Sequence, residues 1–75
     1  MKITGAWYLD QFPTKFIVEL PNGELKFANI VVHQQLTEDD LTPFGYHPDP
    51  ACMRGVTVMP AYMYPYYGLE NVSTT

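Results

Sequence analysis

The sequence predicts a mainly β fold: a small antiparallel sheet of three to four strands with a central β-hairpin, one short helix and an extended C-terminal arm. Three observations predict it. Side chains alternate in character over 3–10, 15–20 and 55–59, the period-two spacing of strands with one buried face. Leu20-Pro21-Asn22-Gly23 carries the chemistry of a tight turn immediately after the second of those runs. The helix start at Thr37 is cut short by Pro43 and Gly45, which leaves room for one or two turns.

Taken in order, Ile3, Gly5, Trp7 and Leu9 alternate with Thr4, Ala6, Tyr8 and Asp10, and Pro13 breaks the run because it has no N–H for a ladder. From residue 15 to 20, Phe16, Val18 and Leu20 share one face, with Lys15, Ile17 and Glu19 on the other. In the turn that follows, proline presets φ and glycine accepts the left-handed conformation of a type I turn with a following bulge. Residues 24–33 are then the returning strand. Its phase slips: Leu25 and Phe27 fall on one face, Ile30 and Val32 on the other, so either Ala28-Asn29 hosts a bulge or both faces are covered. At the helix start, Thr37 caps and Glu38, Asp39 and Asp40 sit where the helix dipole is positive, with Leu36, Leu41 and Phe44 turned inward. His47-Pro48-Asp49-Pro50 permits neither helix nor central strand, and residues 55–59 form the last short strand. Domain organisation is read as a β-rich unit over 1–59 and a Tyr/Pro-rich arm over 60–75.

Composition narrows the function classes. A 75-residue chain is one small domain, whose core supplies only about 3–5 kcal/mol net, so a partner or self-association is expected to help. Charged residues are 16% of the chain, below the roughly 25% of ordinary domains, which predicts an unusually neutral surface. Four Lys/Arg against eight Asp/Glu leave no basic face for a phosphate backbone, which argues against nucleic acid. No apolar run reaches the 18–20 residues or so of a membrane span, and the N-terminal residues do not read as a signal peptide. A lone cysteine, Cys52, excludes an intrachain disulfide, and the expected setting is intracellular and reducing.

No catalytic constellation emerges. Cys52 with His33 or His47 lacks a recognisable nucleophile context, and no spacing singles out a carboxylate pair, so the chain is not expected to be an enzyme. His33, His47, Asp49 and Cys52 offer three donor types but lack the paired spacing of a structural zinc site, and neither a metal nor a cofactor is expected. The acidic trio Glu38, Asp39 and Asp40 reads first as a capped, solvated turn and second as a partner-binding candidate. The most unusual segment is the arm, where Tyr62, Met63, Tyr64, Tyr66 and Tyr67 form the primary partner-binding candidate. Tyrosine and methionine offer large contact area with tolerance of partial wetting. Pro60 and Pro65 restrict the arm to an edge strand or a polyproline-like course, and the alternative is that the tyrosines close over the chain's own sheet.

Residues 36–48, Leu-Thr-Glu-Asp-Asp-Leu-Thr-Pro-Phe-Gly-Tyr-His-Pro, resemble a short segment of bacteriophage tail and tail-fibre-assembly proteins. There too an acidic helix start is followed by Leu, three residues, Gly, an aromatic residue and Pro. The resemblance implies a structural or assembly role in a virus particle and brings no catalytic residues. The expected function is therefore a non-enzymatic structural or protein–protein interaction subunit, of the bacteriophage virion or assembly type, docking by its aromatic arm on a protein partner, a homo-oligomer or a virion lattice. Its expected location is the host cytoplasm during assembly and then the virion. The alternative is a small acidic inhibitor of a host enzyme or defence complex, acting through Glu38, Asp39 and Asp40.

Overall fold

Five short strands build one antiparallel sheet: β1 (Gly5–Leu9), β2 (Lys15–Glu19), β3 (Leu25–Asn29), β4 (Leu41–Pro43) and β5 (Val56–Val58), in the spatial order β4-β3-β2-β1-β5. The computed structural model describes residues 2–10, 14–44 and 56–72. The mainly β class and the central hairpin are as the sequence predicts, with one strand more than the three to four expected.

The β2–β3 hairpin forms for the local reason given above. Gly23 has φ +86°, its N–H donates to the Leu20 carbonyl at 2.8 Å, and the Leu20 N–H donates to the Glu24 carbonyl at 2.8 Å. The Asn22 side-chain oxygen accepts from the Glu24 N–H at 2.9 Å, pinning the turn from within. Pairing then runs without interruption from Glu19↔Leu25 to Lys15↔Asn29, and the Ile30 N–H still donates to Thr14 at 3.0 Å. The expected bulge at Ala28-Asn29 is absent from this register. The phase slip has the other cause: Leu25 and Phe27 line one face of the sheet, Ala28 and Ile30 the opposite one.

The face of Ala28 and Ile30, the first face, carries the core. Ala6 from β1, Phe16 and Val18 from β2, Ala28 from β3 and Leu41 from β4 are buried with Ile3, Leu20, Leu36, Met59, Leu69 and Val72, and Tyr8, Met63, Tyr64 and Tyr67 pack against them. Each fully buried Leu or Phe contributes about 1.5–3 kcal/mol before the entropy of ordering is subtracted. The second face carries Trp7, Ile17 and Phe27 side by side in register, with Val58 beyond Trp7 and Thr42 beyond Phe27.

Two local readings need correction. The helix expected from Thr37 is a single 3-10 turn, Glu38–Asp40, after which Leu41 is extended (φ −101°, ψ 136°) and enters β4. Pairing of Thr42 with Phe27 overrides the helix start, and Pro43 is tolerated because it lies on an edge strand. The segment after β5 does extend beyond the sheet at the C-terminus, but its backbone is neither strand nor polyproline. It winds through 3-10 turns Ala61–Met63, Pro65–Tyr67 and Leu69–Asn71. Pro65 occupies the first position of its turn, where its fixed φ suits helical backbone and no N–H is needed, and Gly68 ends the turn at φ +68°.

Candidate functional site

The C-terminal turns form a plate laid on the first face of the sheet, and their winding sorts the expected arm residues into two sets. Met63, Tyr64 and Tyr67 turn inward and pack on the core. Tyr62, 82% exposed, and Tyr66, 41% exposed, turn outward. A strand would have put Tyr62, Tyr64 and Tyr66 on one side; 3-10 winding sends Tyr64 to the other.

The inward residues fasten the plate. The Tyr8 hydroxyl donates to the Met63 sulfur at 3.2 Å, and the Tyr67 ring meets Tyr8 edge-on at 6.4 Å and Phe16 at 5.6 Å between centroids. Burial, and then the neighbouring Tyr67 hydroxyl, push the Tyr8 phenol up to about 12. Leu69 and Val72, fully buried, anchor the far end.

A second clasp joins the turns to the loop 33–36. The His33 N–H donates to the Tyr66 carbonyl at 2.7 Å, the Gln35 side-chain amide donates to the Asn71 carbonyl at 2.5 Å, and the Leu36 N–H approaches the Gly68 carbonyl at 3.5 Å. To make the first of these bonds His33 adopts φ +59°, an uncommon conformation for a residue with a Cβ. Its ring lies 4.4 Å from that of Tyr66, edge to face. Around the clasp, His33, Gln34, Gln35, Pro65, Gly68, Glu70 and Asn71 line an open depression of about 420 Å³. Its wide mouth and amide-rich lining do not resemble the enclosed apolar pockets that hold most small ligands.

The acidic trio divides as well. The Asp40 carboxylate accepts from the Thr37 N–H at 3.0 Å and from the Thr37 hydroxyl at 3.1 Å, so it caps its own turn. Glu38 and Asp39 remain exposed. His47, Asp49 and Cys52 lie outside the described residues. Among the described residues no group of three or more His, Cys, Asp or Glu is placed to hold a metal ion, and no helix is long and apolar enough to cross a membrane.

Sequence reasoning missed Gly68 as the point of closest approach between the clasp and the turns. A signal was present: Pro65 and Gly68, three apart, are the start and stop of a single helical turn. No protein-family model, curated protein or solved structure matches the chain.

Proposed function

We propose that this chain is a non-enzymatic structural or protein–protein interaction subunit that docks through the outward aromatic residues of its C-terminal turns, Tyr62 foremost. One observation carries the reading. Tyr62 is the most exposed large hydrophobic residue among the described residues, yet it stands on a segment held down by Met63, Tyr64, Tyr67, Leu69 and Val72. A large side chain with two rotors on a fastened backbone loses little conformational freedom when a partner covers it, in keeping with the enrichment of tyrosine at interface hot spots. The partner that fits is a protein surface with an apolar recess and a hydrogen-bonding group for the phenol.

The finer reading, a bacteriophage-type virion or assembly component, is supported by the resemblance of residues 36–48 and by the low charge density of the chain. The alternative of an acidic inhibitor has two free carboxylates to work with, Glu38 and Asp39, because Asp40 is spent on its cap. That is a small charge for electrostatic capture.

Photo-crosslinking of the full chain in the cell that makes it tests the reading. A crosslinking phenylalanine analogue at position 62 is expected to capture one protein species, whereas the same label at the exposed turn residue Glu24 captures none. Capture from position 39 with none from 62, weakened by salt, would replace the aromatic reading with the acidic one.

A further inference from the structure

The two edges of the sheet are not alike. In an antiparallel ladder the N–H and C=O of one residue point to the same neighbour, and successive residues alternate sides. On β4, the Phe44 N–H donates to Leu25 and Thr42 pairs with Phe27, so Leu41 and Pro43 are the outward positions. Neither offers a donor: the Leu41 N–H is bonded to the Glu38 carbonyl, and proline has none. That edge is closed to a further strand.

On β5 the Met59 N–H donates to the Ala6 carbonyl at 2.9 Å, and Thr57 pairs with Tyr8 in the same phase. Val56 and Val58 are therefore the outward positions, each with a donor and an acceptor directed away from β1. No described strand lies beyond them. Thr57 is exposed and Val58 is 65% exposed. Apart from its shortness, β5 carries no guard in its own residues: Val-Thr-Val contains no charge and no proline, and its register with β1 is unbulged.

We propose that the outer edge of β5 pairs antiparallel with β5 of a second copy of this chain, about a two-fold axis at Thr57. The pattern is self-complementary. An axis at Thr57 sets Val56 opposite Val58 of the copy and Val58 opposite Val56, so that both outward residues of each chain exchange bonds in both directions. The same axis brings the two Thr57 side chains face to face, a favourable cross-strand pair. An axis at Val58 instead would bring up Pro60, which has no donor. On the second sheet face the pairing covers Val58 and places Val56 of the copy, with Leu9 of the copy behind it, at the end of the row Phe27, Ile17, Trp7, Val58. This contact is made by the backbone of β5 and does not call on the Tyr62 phenol. Three residues a side fall well short of the roughly 1,200 Å² of a stable interface, so the dimer is a weak one.

The test is sedimentation and amide hydrogen exchange of the full chain at concentrations rising to about 1 mM. The expected result is a mass moving from 8.6 kDa toward twice that value, together with slowed exchange of the Val56 and Val58 amides only at high concentration. Val58→Lys should abolish both changes, while Val58→Thr and Tyr62→Ala keep them. A monomer at every concentration overturns the proposal, as does a dimer that survives Val58→Lys. A dimer dissolved by Tyr62→Ala but spared by Val58→Lys overturns it too, and assigns self-contact to the aromatic surface instead. Trp7 fluorescence reports whether each variant is folded.

Discussion

Gly68→Ala should be the most damaging small substitution in the described chain, and its cost can be built up from the geometry. Gly68 has φ +68°, where a residue with a Cβ pays about 1–2 kcal/mol. The Cβ would also lie 2.0 Å from the Gln34 carbonyl oxygen and 2.5 Å from the Gln35 Cα, both of them backbone atoms. Restoring ordinary contact at 3.4 Å moves the two segments apart by about 1.4 Å. That separation strains the His33–Tyr66 bond, worth about 1 kcal/mol, and loosens Leu36 and Leu69, each contributing about 1.5–3 kcal/mol when fully buried. The expected total is about 3–5 kcal/mol, the whole net stability of a domain this small. Gly23→Ala is the control. Its φ is +86° but nothing lies within 4 Å of the added carbon, so only the conformational cost of about 1–2 kcal/mol applies. Urea titration followed by fluorescence of the single tryptophan, Trp7, measures both. Equal losses in the two variants would show that the clasp between 33–36 and the C-terminal turns does not hold the fold.

Other perturbations separate the remaining contacts. The raised Tyr8 pKa means the folded protein keeps a proton that the unfolded chain releases near 10.0, so stability should fall as pH climbs from 10.0 toward about 12; Tyr8→Phe should flatten that fall in thermal melts taken across the range. Asp40→Ala should cost about 0.5–2 kcal/mol by removing the cap on Thr37, whereas Asp39→Ala stays within about 0.5 kcal/mol, and equal effects in denaturant melts would argue against the cap. Leu36→Ala should cost about 2–5 kcal/mol because the side chain is fully buried, against little for Val32→Ala at 41% exposure; a small effect at Leu36 would place it outside the core.

The parts legible in the sequence are those decided by a few adjacent residues. Leu20-Pro21-Asn22-Gly23 specifies its own φ values and hydrogen bonds, so the hairpin followed from four letters. β4 was not legible, because Leu41-Thr42-Pro43 lacks a strand pattern of its own and becomes a strand through pairing with Lys26, Phe27 and Ala28, more than ten residues earlier. The C-terminal segment misled for a different reason. Tyr62, Tyr64 and Tyr66 imitate a period of two, while the residues that anchor it, Met63, Tyr64, Tyr67, Leu69 and Val72, follow the irregular steps of successive 3-10 turns. The candidate partner-binding set contracts accordingly, from five arm residues to the two that face outward.

The central strand explains why so small a sheet carries apolar residues on both sides. Phe16, Ile17 and Val18 are consecutive and all fully buried, so β2 is not a strand with one wet face. Phe16 and Val18 belong to the core under the C-terminal turns, while Ile17 lies outside that cluster, flanked in register by Trp7 and Phe27, with the Lys15 ammonium 5.8 Å from the Phe27 ring centre. A chain of this length gains its second increment of burial from that row, because the first face alone offers few side chains. The row runs across β3, β2 and β1 and ends at Val58, on the one edge that keeps outward donors. Adding a strand there satisfies those donors and covers Val58 in the same step. Hydrogen bonding and apolar burial therefore favour the same contact at the β5 edge, while at β4 Pro43 and the engaged Leu41 amide oppose it.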